Sequence, residues 1–366
     1  MEFTTKKPPI KSNQGRSYKN QLTLHFSLVV VSLAAIFTRA LIPVLEDSTW
    51  GPDQMFKTFL MLAVGAGVSV LIELLYALTE GKSHEFSKYS RLVNPINTGL
   101  IIALLLPTST PIYVLILAVL VGVYAGKIVF GGYGYYIFNP ALVGVLFANI
   151  SFETQIIYGA TPLLQLKESL SGGAANFEVF NLLFGNYDSV AIGSTAAVLL
   201  ILVFIYLLIN KVVDLRSSGT FILGVVIISL GIGFVNFGFN GMMSYMLVNL
   251  LTGLTLFGAV FLVSETVSSP TSRETKIIYA VVIAVLTMAV RVLGTNPEGI
   301  IFAVLFGNMI TPFLNRTVKR SNKRTFIITA SVSLAVVIFT GLILGFILQG
   351  RLIEIYDVAT LIGGIL

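Results

Sequence analysis

The sequence predicts an all-α polytopic membrane protein of about 10–11 transmembrane helices, built as two inverted five-helix repeats with short or broken helices. Three observations carry that prediction. Only 11% of the 366 residues are charged, while 55% are hydrophobic and the mean hydropathy is +0.91; soluble domains carry about 25% charged residues. Apolar runs of membrane-spanning length recur from Leu22 to the C-terminal end. Two motifs recur in the same order in the two halves of the chain.

The runs fall at 22–45, 56–79, 95–107, 110–129, 137–150, 190–210, 219–238, 243–263, 277–294, 299–315 and 325–348. Before them, residues 1–21 form a basic, cytoplasmic N-terminus with no cleavable signal peptide expected, because the first apolar run is long enough to span. Runs one to five make the first repeat, 22–150. The third and fifth are short and open at Asn94-Pro95 and Asn139-Pro140; proline favours a helix start and disfavours its interior. Residues 151–189 form a polar loop. Runs six to ten make the second repeat, 190–315. A basic loop, 316–324, then leads to an additional helix and tail, 325–366, for which a partner-binding and a lipid-facing role are both open.

With the N-terminus in the cytoplasm, the predicted inner segments hold eighteen Lys and Arg residues and the outer ones only Lys57, Lys167 and Arg351; Arg39 and Arg291 sit near outer span ends. This positive-inside bias puts the 151–189 loop, with Glu153, Glu168, Glu178 and Asp188 against Lys167, on the extracytoplasmic side of a multi-pass cell membrane protein. The same bias accounts for the net charge of +6 without nucleic acid.

The repeat is read from "VNPINTGL" (93–100) against "VNLLTGL" (248–254), and from "NPALVGVLFAN" (139–149) against "NPEGIIFAVLFGN" (296–308). Five spans separate the members of each pair, so the partners cross in opposite directions. Inverted repeats with broken helices form a transporter-type architecture.

The chain contains no Cys and two His, His25 and His84. That excludes disulfides, thiolate metal sites and iron–sulfur clusters of the usual kind. Both histidines are expected in solvated or capping roles, which leaves no haem and no metal site. Any redox role therefore needs an organic cofactor. Intramembrane ionisable residues are functional candidates by default. Here they are Glu73, Arg39, Lys127, Arg291 and Glu298. Glu73 suits either an ion path or a pair with a neighbouring helix, and Glu298 is expected to offset the positive end of the helix it begins. In residues 127–144, Gly131, Gly132 and Gly134 permit close backbone approach, and Tyr133, Tyr135 and Tyr136 suit ring stacking or an interfacial belt.

Five motifs, "NPINTGLIIALLLP", "VFGGYGYYIFNPALVG", "YGATPL", "SETVSSPTS" and "NPEGIIFAVLFGNMITP", stand in the order found in the RnfD subunit of the Rnf ferredoxin:NAD electron-transport complexes. The chain resembles that family, and the related NqrB subunit of the sodium-pumping NADH:quinone oxidoreductases, over residues 22–316. The resemblance implies a urea-transporter-like core, a covalently attached FMN and, in some members, a second, non-covalent flavin such as riboflavin. Family members carry FMN as a phosphoester on the last Thr of Asp-x-x-Ser/Thr-Gly-Ala-Thr, installed by a flavin transferase with FAD as donor. That threonine corresponds to Thr161, with Gly159, Ala160 and Pro162 matching around it; Gln155 and Tyr158 replace the usual Asp and Ser/Thr. Glu265-Thr266 likewise replaces the usual Asp-Pro. Asn94, Asn97, Gly131, Gly132, Asn139 and Glu298 mark the candidate flavin or helix-break region. The implied function is a membrane redox subunit of an Rnf/Nqr-type ion-translocating complex, not a complete enzyme. It would relay electrons at the extracytoplasmic side, and its partners would be the other complex subunits, the transferase and the lipid bilayer. The rival reading is a small-solute channel on the same fold without flavin.

Overall fold

The computed structural model describes residues 14–45, 52–80, 89–156, 183, 191–194, 196–294, 298–318 and 323–363. The helices are α1 (Gln14–Leu45), α2 (Pro52–Thr79), α3 (Tyr89–Leu105), α4 (Ile112–Leu120), α5 (Pro140–Ser151), α6 (Ala197–Ile209), α7 (Leu215–Leu251), α8 (Thr255–Phe261), α9 (Arg273–Leu293), α10 (Ile300–Thr317) and α11 (Lys323–Gly363). A π-helical segment, Val121–Ile128, continues α4, and a 3₁₀ turn, Ile192–Ser194, precedes α6. Among the described residues the only β pairing is an isolated bridge between Pro107 and Ala191. Among the described residues, six helices are long and apolar enough to cross a bilayer, and four shorter apolar helices lie between them. The protein is therefore an all-α, multi-pass membrane protein.

Helix starts follow local chemistry. Asn139 caps α5 by accepting from Ala141 N at 3.0 Å, with Pro140 in the first helical position. Asp214 caps α7 through Arg216 N at 2.9 Å, and Ser272 caps α9 through Thr275 N at 3.2 Å.

The expected start of the third span at Asn94-Pro95 is corrected: α3 begins at Tyr89 and carries Pro95 in its second turn. Proline leaves one carbonyl without its intrahelical donor, and tight packing on α2 holds the helix through this defect. Gly65 and Gly99 bring the α2 and α3 backbones together, and Ser69 Oγ donates to Pro95 O at 2.7 Å. The expected span 190–210 is also shorter than predicted, because residues 191–194 pair with the end of α3 before α6 starts. Ile192 N donates to Leu106 O at 3.0 Å.

The 37-residue α7 is a helical hairpin. Gly238 (φ 65°, ψ −162°) adopts a conformation open essentially to glycine. A Cβ on Gly233 would lie 2.8 Å from Met242 Cα, whereas nine residues of straight helix would put them about 13.5 Å apart. The chain therefore turns back at Gly238, and 215–237 and 239–251 are two antiparallel arms. The second arm ends at Leu251, residues 252–254 are non-helical, and α8 resumes the run. The eighth span is thus discontinuous, while its repeat partner α3 is not.

α11 packs on α7 and α9. Gly231 and Gly341 meet backbone to backbone, and Asn236 Nδ2 donates to Gly345 O at 3.2 Å. Small residues permit such close helix contact in a membrane. The added helix is thus seated on the second repeat.

Candidate functional site

Two buried polar clusters occupy equivalent places in the two repeats. In the first, Lys127 lies near the end of the π-helical segment, only 2% exposed. Its Nζ donates to Glu73 of α2 and to Asn94 Oδ1 of α3. A π segment rotates the chain less per residue than an α-helix and often marks a functional position. Here it turns Lys127 inward, while Gly122 and Gly126 let α5 press close against it. Glu73 takes the paired role of the two foreseen for it.

Beside this cluster, Tyr136 OH donates to Glu265 at 2.8 Å. Glu265 also accepts from Ser268 through both the backbone N–H, at 2.9 Å, and the hydroxyl. Burial, reinforced by the neighbouring Glu265 carboxylate, pushes the Tyr136 hydroxyl well above the ordinary phenol range. The "GGYGYY" and "SETVSSPTS" motifs, 129 residues apart at this contact, thus meet on one face. Tyr133 and Tyr135 stay exposed, and Gly131 and Gly132 form a turn at positive φ.

In the second repeat, Arg291 stands near the end of α9, also 2% exposed. Its guanidinium enters the break between α7 and α8: Nη1 donates to Asn249 O at 2.7 Å and Nη2 to Thr252 O at 2.9 Å. Glu298 accepts from Leu254 N at 2.9 Å across the same break. The cation therefore faces the carbonyl end of one helix and the carboxylate the amide end of the next, as the helix dipoles require. Glu298, which lies just before α10, thus also reaches the amide end of α8. Gly253 (φ 65°) leaves the space in which these side chains meet, since a Cβ there would overlap Arg291 Nη2 and stand 3.3 Å from a Glu298 oxygen.

The remaining candidates are placed as follows. Asn97 is buried, with Oδ1 2.7 Å from His25 Nδ1 and Nδ2 donating to Gln21 O at 3.4 Å. This replaces the solvated or capping role foreseen for His25. Asn139 acts as the α5 cap. Tyr158, Gly159, Ala160, Thr161 and Pro162 lie outside the described residues, as do His84 and the Arg39 side chain. At the near edge of that loop, Tyr113 OH donates to Gln155 Oε1, and Phe152 packs edge-on against Tyr113 and Phe147. Among the described residues, no group of three or more His, Cys, Asp or Glu is set to hold a metal. The Tyr136–Glu265 and His25–Asn97 contacts carry no sequence signal, because nothing local links residues so far apart.

The family model described as "NQR2, RnfD, RnfE family" matches residues 17–324. The chain belongs to that family. Among similar proteins, the D subunit of the Na(+)-translocating ferredoxin:NAD(+) oxidoreductase complex of Acetobacterium woodii is 28% identical over 234 residues, 61% of this chain and 70% of that protein. The B subunit of the Na(+)-translocating NADH-quinone reductase of Pseudomonas aeruginosa strain PAO1 is 28% identical over 239 residues, 62% of this chain and 59% of its own length. The D subunit of the ion-translocating oxidoreductase complex of Psychromonas ingrahamii is 26% identical over 267 residues, 60% of this chain and 74% of that protein. The chain thus spans about three fifths of the quinone reductase subunits that it matches. The family match ends at residue 324, so α11 beyond its first two residues lies outside it.

Proposed function

We propose that the chain is a membrane redox subunit of an Rnf/Nqr-type ion-translocating electron-transport complex, carrying FMN as a phosphoester on Thr161 at the extracytoplasmic side. The observation that carries this reading is the "YGATPL" stretch, set inside a chain of the NQR2, RnfD, RnfE family. The similar proteins are named as subunits of sodium- or ion-translocating oxidoreductases.

Attachment requires a hydroxyl nucleophile. The Thr161 oxygen attacks the flavin-side phosphorus of FAD, the P–O–P bridge breaks, AMP leaves, and the hydroxyl proton is taken up by base. A separate transferase performs this step, and the small Gly159-Ala160 approach gives it room. Tyr113, Phe147 and Phe152 pack together at Gln155, near the last described residue before this stretch. Once bound, FMN supplies the electron acceptance and donation that a chain without cysteine lacks. Delivery and removal of electrons then require other subunits. A second, non-covalent flavin such as riboflavin fits the same reading.

The solute-channel alternative supplies no reason for the "YGATPL" stretch, which the flavin reading uses. The test is in-gel flavin fluorescence of the denatured protein, co-expressed with its transferase. Wild type is expected to give a fluorescent band and Thr161→Ala none. A dark wild-type band refutes covalent attachment, and a band that survives Thr161→Ala moves it to another residue.

A further inference from the structure

The break in the second repeat has the parts of a cation site. Two carbonyl oxygens at the end of one helix, Asn249 O and Thr252 O, converge with the Glu298 carboxylate around a space kept open by Gly253. In broken-helix transporters, such carbonyl ends coordinate a free monovalent cation. Here the occupant is covalent: both guanidinium nitrogens of Arg291 lie on the carbonyls, at 2.7 and 2.9 Å. The Glu298 carboxylate is held in place by Leu254 N.

The first repeat repeats the device. Lys127 comes twelve residues before Asn139-Pro140, and Arg291 five before Asn296-Pro297. Each therefore ends the fourth span of its repeat and precedes that repeat's Asn-Pro. Each also bonds the Asn of the "VN…TGL" stretch, Lys127 to the Asn94 side chain and Arg291 to the Asn249 carbonyl. Neither cation is explained by solvation, since both are 2% exposed.

We propose that the 249–254 break is a monovalent-cation site whose resident ligand is the Arg291 guanidinium, and that a free guanidinium ion takes the place when this side chain is removed. The native chain thus carries a tethered cation where a related architecture would bind a mobile one. The inference stands apart from the flavin reading and survives its failure.

The test uses the full chain in detergent, bearing Arg291→Ala, with thermal unfolding followed against low-millimolar guanidinium chloride. Tetramethylammonium chloride, which cannot donate hydrogen bonds, is the control at equal ionic strength. A ligand that binds only the folded state stabilises as RT ln(1 + [L]/Kd). The variant's melting temperature should therefore climb with guanidinium beyond any change in wild type and stay flat with tetramethylammonium. Stabilisation by sodium as well would widen the site to bare alkali cations and still support it. No difference between guanidinium and tetramethylammonium overturns the proposal. If Arg291→Ala fails to accumulate, Arg291→Ala/Glu298→Gln decides. The defect would then be an uncompensated buried carboxylate, so neutralising it must restore folded protein. A double variant as deficient as the single one also overturns the proposal.

Discussion

The Lys127–Glu73 pair gives the sharpest test of how the first repeat is held. Lys127 is 2% exposed and Glu73 16%, and Asn94 is the second acceptor on the same ammonium. Changing Lys127 to Met leaves Glu73 charged in an apolar wall; changing Glu73 to Gln leaves the ammonium with amide partners only. Breaking a buried pair from one side costs about 3–5 kcal/mol, whereas replacing both partners is often close to neutral. Partial exposure of Glu73 puts the expectation near the lower figure, ~3 kcal/mol for Lys127→Met. That corresponds to a factor of roughly 150 in the folded-to-unfolded ratio. Glu73→Gln should lose less, because Asn94 and the new amide oxygen still accept from the ammonium. The double variant should recover most of the Lys127→Met loss, giving a coupling energy of about 2 kcal/mol or more. The assay is reversible unfolding in mixed micelles, followed by far-ultraviolet circular dichroism of each single variant and the double. Additive losses, with no recovery in the double variant, would refute the view that the two charges compensate each other inside the fold.

Gly238→Ala should destabilise by about 1–3 kcal/mol or more, because φ 65° with ψ −162° is a glycine conformation; an unchanged melting temperature would contradict the hairpin turn. Gly341→Leu should push α11 off α7, since even a Cβ would stand 3.1 Å from Ile228 Cα. A loss of about 1–3 kcal/mol is expected, and protease accessibility near residue 322 should rise in the same samples. The Asp214–Lys276 bridge, at 2.6 Å, sits at the start of α7. Burial raises the Asp214 carboxyl, but the Lys276 and Arg216 hydrogen bonds and charges outweigh it and hold it below its ordinary 3.8. A depressed folded-state value stabilises above the unfolded value and fades as pH falls through the folded one. Stability should therefore fall below about pH 4 by a small amount, under about 1 kcal/mol after solvent screening. Asp214→Asn should flatten that part of the profile, which a pH series of melts will read.

Helix existence and broad class were legible because they rest on local composition. Apolar runs separated by Gly, Pro and charge predict spans whatever their packing, and the α5 cap at Asn139-Pro140 was readable from two residues. The motif pairs themselves were legible, because they are written in sequence order. Asn94-Pro95 misled because it has the same local signature as Asn139-Pro140, and only contact with α2 carries α3 through it. The hairpin at Gly238 was visible as a boundary between runs seven and eight, but not as a reversal so tight that Gly233 meets Met242. For the site, Lys127, Arg291 and Glu298 stood out as charges in apolar surroundings, yet no spacing rule says which carbonyl or carboxylate each one finds.

The sequence by itself determined that this protein lives in a bilayer as a bundle of helices, and it is the sole source of the proposal that Thr161 holds a flavin. Tertiary structure decided that the intramembrane charges are compensated, Lys127 by Glu73 and Asn94, and Arg291 by a broken helix. It also decided that the helix beyond the family boundary is seated on the second repeat. The physical reason is range. Hydropathy, capping and turn chemistry act over a few residues and are written in order along the chain. Compensation of a buried charge depends on which distant segments share its low-dielectric surroundings, and only the packed fold brings those together.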